Sequence, residues 1–434
     1  MNLSLIGIVL SLALLMFLVF KRISIIAATL ICCCILACMS GLPVVATLKD
    51  HYLTSMANFI SSNFLIFSAS AFFGKVMEDT GCASAFSKLV LRAFGPKYAI
   101  YGIMLATSLL VYGGVSAFVV LFTVYPIFLS VFQQSNIPRR LIPAAIMSSS
   151  CTYAATMLPG TAQLNNLIPT QYLGTTPMAA WPVGLVCALV MMVLLFVYFE
   201  YEIRKARRSN IGFDSSQDIA DTIKKMDGLK QVNSWLAVVP MAILLILMNG
   251  FKMDPFLAMI FGVAAAAVIG WKNLDHKLNT LNQGIGGVTN AVINTAVAVG
   301  FGGVVQATSG FQTLINMIAG LPVNPLISLS LATTLVSGAT GSGGGGTGIA
   351  MQVFSERFLA MGIQPEILHR IVSCSSLGLS CLPHCGYIIT LFALTGFNHK
   401  EAYKPIFWST LVISSICMVL AVIMGIMMYP VMPM

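Results

Sequence analysis

Charge is what this sequence has least of. Only 9% of its 434 residues are Asp, Glu, Lys or Arg, while 58% are hydrophobic, and soluble domains carry roughly 25% charged residues. That excludes a soluble globular chain. Acids are the scarcer sign, 14 against 23 basic residues. With so few acids at membrane depth, and no Gly-x-Ser-x-Gly in a strand-turn-helix setting, a Ser-His-Asp hydrolase is not expected. The eleven cysteines show no spacing of a disulfide framework or of a paired-cysteine zinc site. Cys32, Cys33, Cys34, Cys38, Cys187 and Cys417 lie within apolar runs, where Cys behaves as a small hydrophobe. Cys381, His384 and Cys385 could touch one ion, but no second ligand cluster accompanies them, so neither a metal centre nor a cofactor is expected. A basic leading region is missing too. The first positive pair, Lys21-Arg22, follows the first apolar run, which argues against a signal peptide and suits a first helix entering from outside.

What is present is a series of apolar runs about long enough to cross a bilayer as helices. The short alternating segments of a β-barrel are not seen. The reading is an all-α polytopic membrane protein. Spans are expected at 3–20, 23–41 and 57–77, then a short separate amphipathic stretch at 82–94, a re-entrant hairpin over 99–132, a broken segment over 141–173 and a span at 178–200. The only long polar stretch, 201–233, reads as a cytoplasmic linker. Spans at 234–250, 255–271 and 286–308, a Gly-rich hairpin at 324–358, a broken segment at 363–397 and a last span at 405–429 complete the chain.

The order repeats. Phe73-Gly74-Lys75-Val76 is echoed by Phe301-Gly302-Gly303-Val304, and Gly114 and Pro159 lie 45 residues apart, as do Gly338 and Pro383. Residues 1–200 and 234–434 therefore read as two repeats, each of five crossings plus one hairpin. Five is odd, so the second copy is inverted and both termini lie outside. The net charge of +9 invites a nucleic-acid partner, but the positive charges sit in short loops. Of 23 Lys and Arg, only Lys49, Lys252, Arg357 and Arg370 fall outside in this topology, as the positive-inside rule requires. No nucleic acid is expected; the surroundings are lipid.

A weak inverted repeat with Gly/Pro-interrupted apolar segments points to a secondary transporter and to its binding site. Backbone breaks inside a bilayer are tolerated only in protein or beside a wet cavity. Half-helix N-termini there seat an anion, and loose carbonyls suit a cation. The residues at the four breaks are small and polar. The candidates for binding a small organic anion are Gly114 and Ser116 at the first tip and Thr161 and Asn165 at the first helix break. Thr340, Gly341, Ser342 and Gly343 are those at the second tip, with His384 and Cys385 at the second break. His384 either holds its break or carries a proton. Glu78 and Asp79 read as interface groups, and Glu356, Arg357, Glu366, His369 and Arg370 as surface groups near the outer face.

The runs Ile137-Pro138-Arg139-Arg140-Leu141-Ile142-Pro143, Leu158-Pro159-Gly160-Thr161 and Gly174-Thr175-Thr176-Pro177-Met178-Ala179 resemble the gluconate permease (GntP) family of the ion transporter superfamily. So do Leu368-His369-Arg370, Leu382-Pro383-His384 and Asn398-His399-Lys400-Glu401-Ala402-Tyr403. The resemblance is densest over 105–180 and 335–405. It implies symport of gluconate-like sugar acids or short hydroxy acids, coupled to H+ or Na+, in an inner membrane. It also implies a dimeric scaffold and a mobile transport domain. Cys385 stands where relatives often carry Asn, and the second tip is unusually rich in glycine. Three other functions are open: a cation/proton antiporter, which would want acids at the breaks; an intramembrane enzyme, which would want clustered acids or a nucleophile and base; and a channel.

Overall fold

The computed structural model describes residues 3–21, 23–113, 115–214, 230, 232–247, 251, 253–274, 277–286, 288–319 and 322–430. Among them there are helices, turns and loops but no strand. In chain order the helices are α1 (Leu3–Phe20), α2 (Ile25–Met39), α3 (Val44–Asp79, with a π-turn at Leu48–Leu53), α4 (Cys82–Tyr112), α5 (Ala117–Gln134) and α6 (Ile142–Ser150). After a π-turn at Tyr153–Met157 come α7 (Leu164–Leu173), α8 (Trp181–Arg208), α9 (Val239–Leu245), α10 (Pro255–Ile269), α11 (Lys277–Gly286) and α12 (Val288–Gln306). The last six are α13 (Ser309–Ala319), α14 (Pro325–Thr340), α15 (Gly343–Leu359), α16 (Pro365–Ser375), α17 (Gly386–Thr395) and α18 (His399–Met428).

Six of these, α1, α3, α4, α5, α8 and α18, are long and apolar enough to cross a membrane. Their outward faces carry Leu10 and Phe17 on α1, Val193 and Val197 on α8, and Ile416 and Val419 on α18, all exposed. Such continuous apolar faces need hydrocarbon around them. All four tryptophans, Trp181, Trp235, Trp271 and Trp408, are exposed as well, as residues that favour the membrane–water interface are.

Two elements differ from the sequence reading. The third span starts at Val44 rather than 57, because the π-turn over Leu48–Leu53 absorbs Lys49, Asp50 and His51 without ending the helix. The stretch 82–94 is not separate: α4 runs through it, bending at Gly95 (φ +70°), where Pro96 follows. The first eight residues of the expected linker continue α8 to Arg208, and 215–229 lie outside the described residues.

Helix ends follow local chemistry. Asn324 and Asp254 accept from the N–H groups of Leu326 and Phe256, with Pro325 and Pro255 at the first helical position, where the missing N–H costs nothing. Asn398 and Glu401 form a capping box at the start of α18, satisfying two otherwise free donors.

The chain folds into two compact units. The first comprises Met1–Ser62, Cys151–Leu194 and Val292–Met434; the second comprises Asn63–Ser150 and Leu195–Ala291. In the second unit, α4 packs on α5 and α6, and α9 on α10. Asp79 is buried there, 3.2 Å from Lys75 Nζ and accepting from Thr280 at 2.7 Å. In the first, α1 packs on α2 and α13, α14 on α15 and α16, and α16 on α7 and α18.

In the second unit a Cβ on Gly74 would collide with the carbonyl oxygen of Phe122. Without a side chain there, α3 and α5 approach closely, as membrane helices do at small residues. Gly74→Ala is expected to cost about 1–3 kcal/mol through overpacking, read as a lower thermal midpoint of the detergent-solubilised protein. An unchanged midpoint would contradict the close approach.

Candidate functional site

The first unit gathers one hairpin tip and both helix breaks. At the tip, α14 ends on Gly341 in the left-handed region (φ +62°), which an L side chain adopts only with strain. Ser342 then starts α15, and its Oγ accepts from Gly345 N at 3.1 Å. The glycines are set by what they touch. A Cβ on Gly341 would sit 3.0 Å from His384 Cδ2, and one on Gly343 would sit 2.9 Å from Asn165 Nδ2. On Gly346 it would overlap Ser337 Oγ. The tip is therefore seated on the second break through Gly341 and on the first through Gly343.

The second break separates α16 and a 3-10 turn (Gly378–Cys381) from α17, with a bend of 52°. Its freed carbonyls are taken up by neighbours. Tyr403 Oη donates to Cys381 O at 3.0 Å, and His399 Nε2 donates to Pro383 O at 2.8 Å. His384 is 1% exposed, and its Nε2 lies 2.9 Å from Gly338 O. A carbonyl only accepts, so Nε2 carries the hydrogen and Nδ1, when the ring is neutral, is a bare acceptor. Nδ1 has no partner. Cys385 is buried at the N-cap of α17.

The first break is held differently. His369 and Arg370 are fully buried, which corrects the expectation that they lie at the surface; Glu356, Arg357 and Glu366 on the same stretch are exposed. Arg370 Nε and Nη2 donate to Ala179 O at 3.0 and 2.8 Å, and Nη2 also to Pro177 O at 3.1 Å. Its Nη1 donates to Met157 O at 3.3 Å and to Asn166 Oδ1 at 3.2 Å. Asn166 Nδ2 in turn donates to Thr161 O at 2.9 Å and Pro177 O at 3.0 Å. Since Asn166 Oδ1 can only accept, His369 Nε2, 3.0 Å away, is the donor there, and His369 Nδ1 accepts from Thr175 Oγ1 at 2.7 Å. Ser373 adds a bond to Thr156 O at 2.8 Å. The clamp lies beside Ala180, whose φ of +41° is unusual for a residue with a Cβ. Gly184 is small for the same reason: a Cβ there would reach 2.6 Å from Met157 O.

Eight of the expected site residues, Thr161, Asn165, Thr340, Gly341, Ser342, Gly343, His384 and Cys385, lie in this unit. Asn165 bonds Ser376 Oγ at 2.6 Å, and Thr340 Oγ1 donates back to Val336 O at 3.0 Å. Ser116, the N-cap of α5, belongs to the other unit, and Gly114 lies outside the described residues. The sequence placed Asn166 at the first break and Ser337 in the second tip without marking either as a ligand, gave no role to His399 or Tyr403, and put Arg370 at the surface. The signal available for Arg370 was a charge within an otherwise apolar segment. Three polar atoms are buried without a partner in this unit's tip and breaks: Thr161 Oγ1, Ser337 Oγ and His384 Nδ1. Among the described residues no group of three or more His, Cys, Asp or Glu is placed to hold a metal ion.

If the bond to Cys381 O holds the second break, Tyr403→Phe is expected to destabilise the protein by about 1–3 kcal/mol, the cost of a buried unpaired carbonyl. Thermal unfolding of purified protein reads this, and a midpoint equal to wild type would refute it.

Comparison with known proteins gives the family. The pattern of the citrate transporter family, CitMHS, matches residues 15–282. A Bacillus subtilis protein named uncharacterized transporter YxjC is 34% identical over 94% of this chain and 96% of its own length. A Haemophilus influenzae protein, also named an uncharacterized transporter, is 23% identical over 76% of this chain and 77% of its own. The solved Alcanivorax borkumensis YdaH transporter aligns over 88% of this chain and 89% of that one, at 16% identity and a TM-score of 0.48. The match thus falls on citrate transporters rather than on the gluconate permeases that the motifs resemble. With its apolar helices and this match over more than half its length, the chain is a multi-pass membrane transporter belonging to the citrate transporter family.

Proposed function

We propose that this protein is a secondary active symporter of small organic carboxylates, of the hydroxy-acid or sugar-acid kind, driven by a proton or sodium gradient. The observation that carries the reading is the seating of a glycine-rich tip on two helix breaks, with Thr161 Oγ1, Ser337 Oγ and His384 Nδ1 buried and unpartnered nearby in the fold. Buried polar groups without partners cost free energy unless something binds them. The Thr161 and Ser337 hydroxyls can donate to a carboxylate, and His384 Nδ1, an acceptor, can take a hydrogen bond from a substrate hydroxyl. With the N-termini of α7, α15 and α17 supplying N–H groups and positive dipole ends, the set suits an anion that carries hydroxyls. The absence of an acid from this set weighs against the cation/proton antiporter. The substrate contacts in the first unit are Thr161, Asn165, Thr340, Gly341, Ser342, Gly343, His384 and Cys385. The two helices that follow the breaks, α7 and α17, are each ten residues long and each end on a left-handed glycine, Gly174 and Gly396. That likeness supports the inverted repeats, 1–200 and 234–434. The reading carries an inner-membrane location, both termini outside, and a homodimer.

The test is uptake of radiolabelled citrate, gluconate, 3-hydroxybutyrate and lactate into sealed vesicles, with proton and sodium gradients imposed separately. Concentrative uptake that collapses with one gradient is the expected result. No uptake of any acid under either gradient would overturn the reading. Thr161→Val removes a buried hydroxyl that has no protein partner. It is expected to raise the substrate KM about tenfold while leaving stability unchanged or higher by up to about 1 kcal/mol. An unchanged KM would remove Thr161 from the site.

A further inference from the structure

Loose carbonyls at a broken membrane helix are cation ligands in waiting. At the first break four such oxygens converge: Met157 O, Pro177 O, Ala179 O and Asn166 Oδ1. All four are taken by one group, the Arg370 guanidinium, through five hydrogen bonds of 2.8 to 3.3 Å. Five is the number of N–H groups a guanidinium has. The side chain is fully buried, and among the described residues no carboxylate pairs with it. Its charge is balanced by oxygen dipoles alone, as the charge of a bound monovalent cation would be. Three of the four oxygens are backbone carbonyls, and two of these flank Met178 in the segment between α7 and α8. The same cage therefore fixes Pro177 O and, through Asn166 Nδ2, the carbonyl of Thr161.

We propose that Arg370 is a built-in cation that takes the place of a bound monovalent ion at the first helix break, so that the substrate-binding form of this break needs no sodium. Arg370 does not touch the substrate; it is a positioning residue that acts through Asn166 on Thr161. Arginine suits the task because it stays charged when buried, is weakly hydrated and presents its donors in a rigid fork. The consequence for coupling is specific: any ion that drives transport binds elsewhere, and the first break is preloaded. The uptake arm of the test rests on the transport reading, whereas the stability arm does not.

The experiment is chemical rescue. Arg370→Ala empties the cage of its cation. Purified Arg370→Ala is expected to unfold at a lower temperature than wild type, and guanidinium, well below denaturing concentrations, is expected to raise that temperature. Sodium is expected to act more weakly and tetramethylammonium, which cannot donate hydrogen bonds, not at all. Wild type should show no such gain. In vesicles, uptake by the variant is expected to fall by about a hundredfold, the scale set when one partner of a buried charged network is lost, and to return with guanidinium through a lower KM. A folded Arg370→Ala that neither guanidinium nor sodium stabilises would overturn the proposal. Should that variant not fold, Arg370→Gln decides instead, since it keeps hydrogen-bond donors and drops the charge. Wild-type stability in Arg370→Gln would overturn the proposal, and loss of stability that Arg370→Lys partly restores would support it. Should no carboxylate be taken up by wild type, the proposed function fails, while cation-dependent stability of Arg370→Ala still tests the cage.

Discussion

A helix interrupted inside hydrocarbon frees N–H and C=O groups that water cannot reach, and each such group costs several kcal/mol if left alone. In the first unit the long-range polar contacts largely follow from this one demand. Arg370, Asn166 and Ser373 supply donors to the carbonyls around the first break. His399 and Tyr403 do so for the second, and His384 donates to the carbonyl of Gly338 just before the tip. For the first break, Arg370 and Ser373 reach back 213 and 217 residues to Met157 O and Thr156 O, so that break holds its shape only once the unit has assembled; the donors to the second lie 16 and 22 residues on.

The two breaks meet the demand by different chemistry. The second uses neutral donors, imidazole and phenol, on α18 and on the break itself. The first uses a full positive charge on α16. A buried charge is expensive unless every donor finds an acceptor, and the first break meets all five donors with four oxygens, Ala179 O accepting twice. The repeat seen in sequence therefore does not extend to the means by which each break is stabilised. The glycines of the tip answer a separate need. They let α15 start against Asn165 and His384 with no side chain between, leaving N–H groups of a helix N-terminus near both breaks. Ser342 and Thr340, expected as ligands, also serve the helix ends locally, one as a cap and one by bonding back to Val336.

The breaks themselves were legible in the sequence because glycine and proline inside apolar runs have few other meanings. Leu158-Pro159-Gly160 and Leu382-Pro383-His384 mark them to within a few residues. The segment boundaries were less legible, since a π-turn carries Lys49, Asp50 and His51 through a helix with no interruption in backbone bonding. Arg370 was misplaced for a physical reason: a charge near the edge of an apolar run belongs at the surface unless acceptors are waiting for all its donors, and the four oxygens that take its five N–H groups come from residues 191 to 213 positions earlier.

By itself the sequence determined the solvent, the helical class and the places where helices must stop, because these depend on composition and on local backbone restrictions. It also supplied the polar groups at those stops. Only the tertiary structure decided which of them are already satisfied and which still lack a partner, because a hydrogen bond is used up by a neighbour in space. That is why Thr161, Ser337 and His384 Nδ1 stand open while Arg370, equally polar and equally buried, is closed on every side.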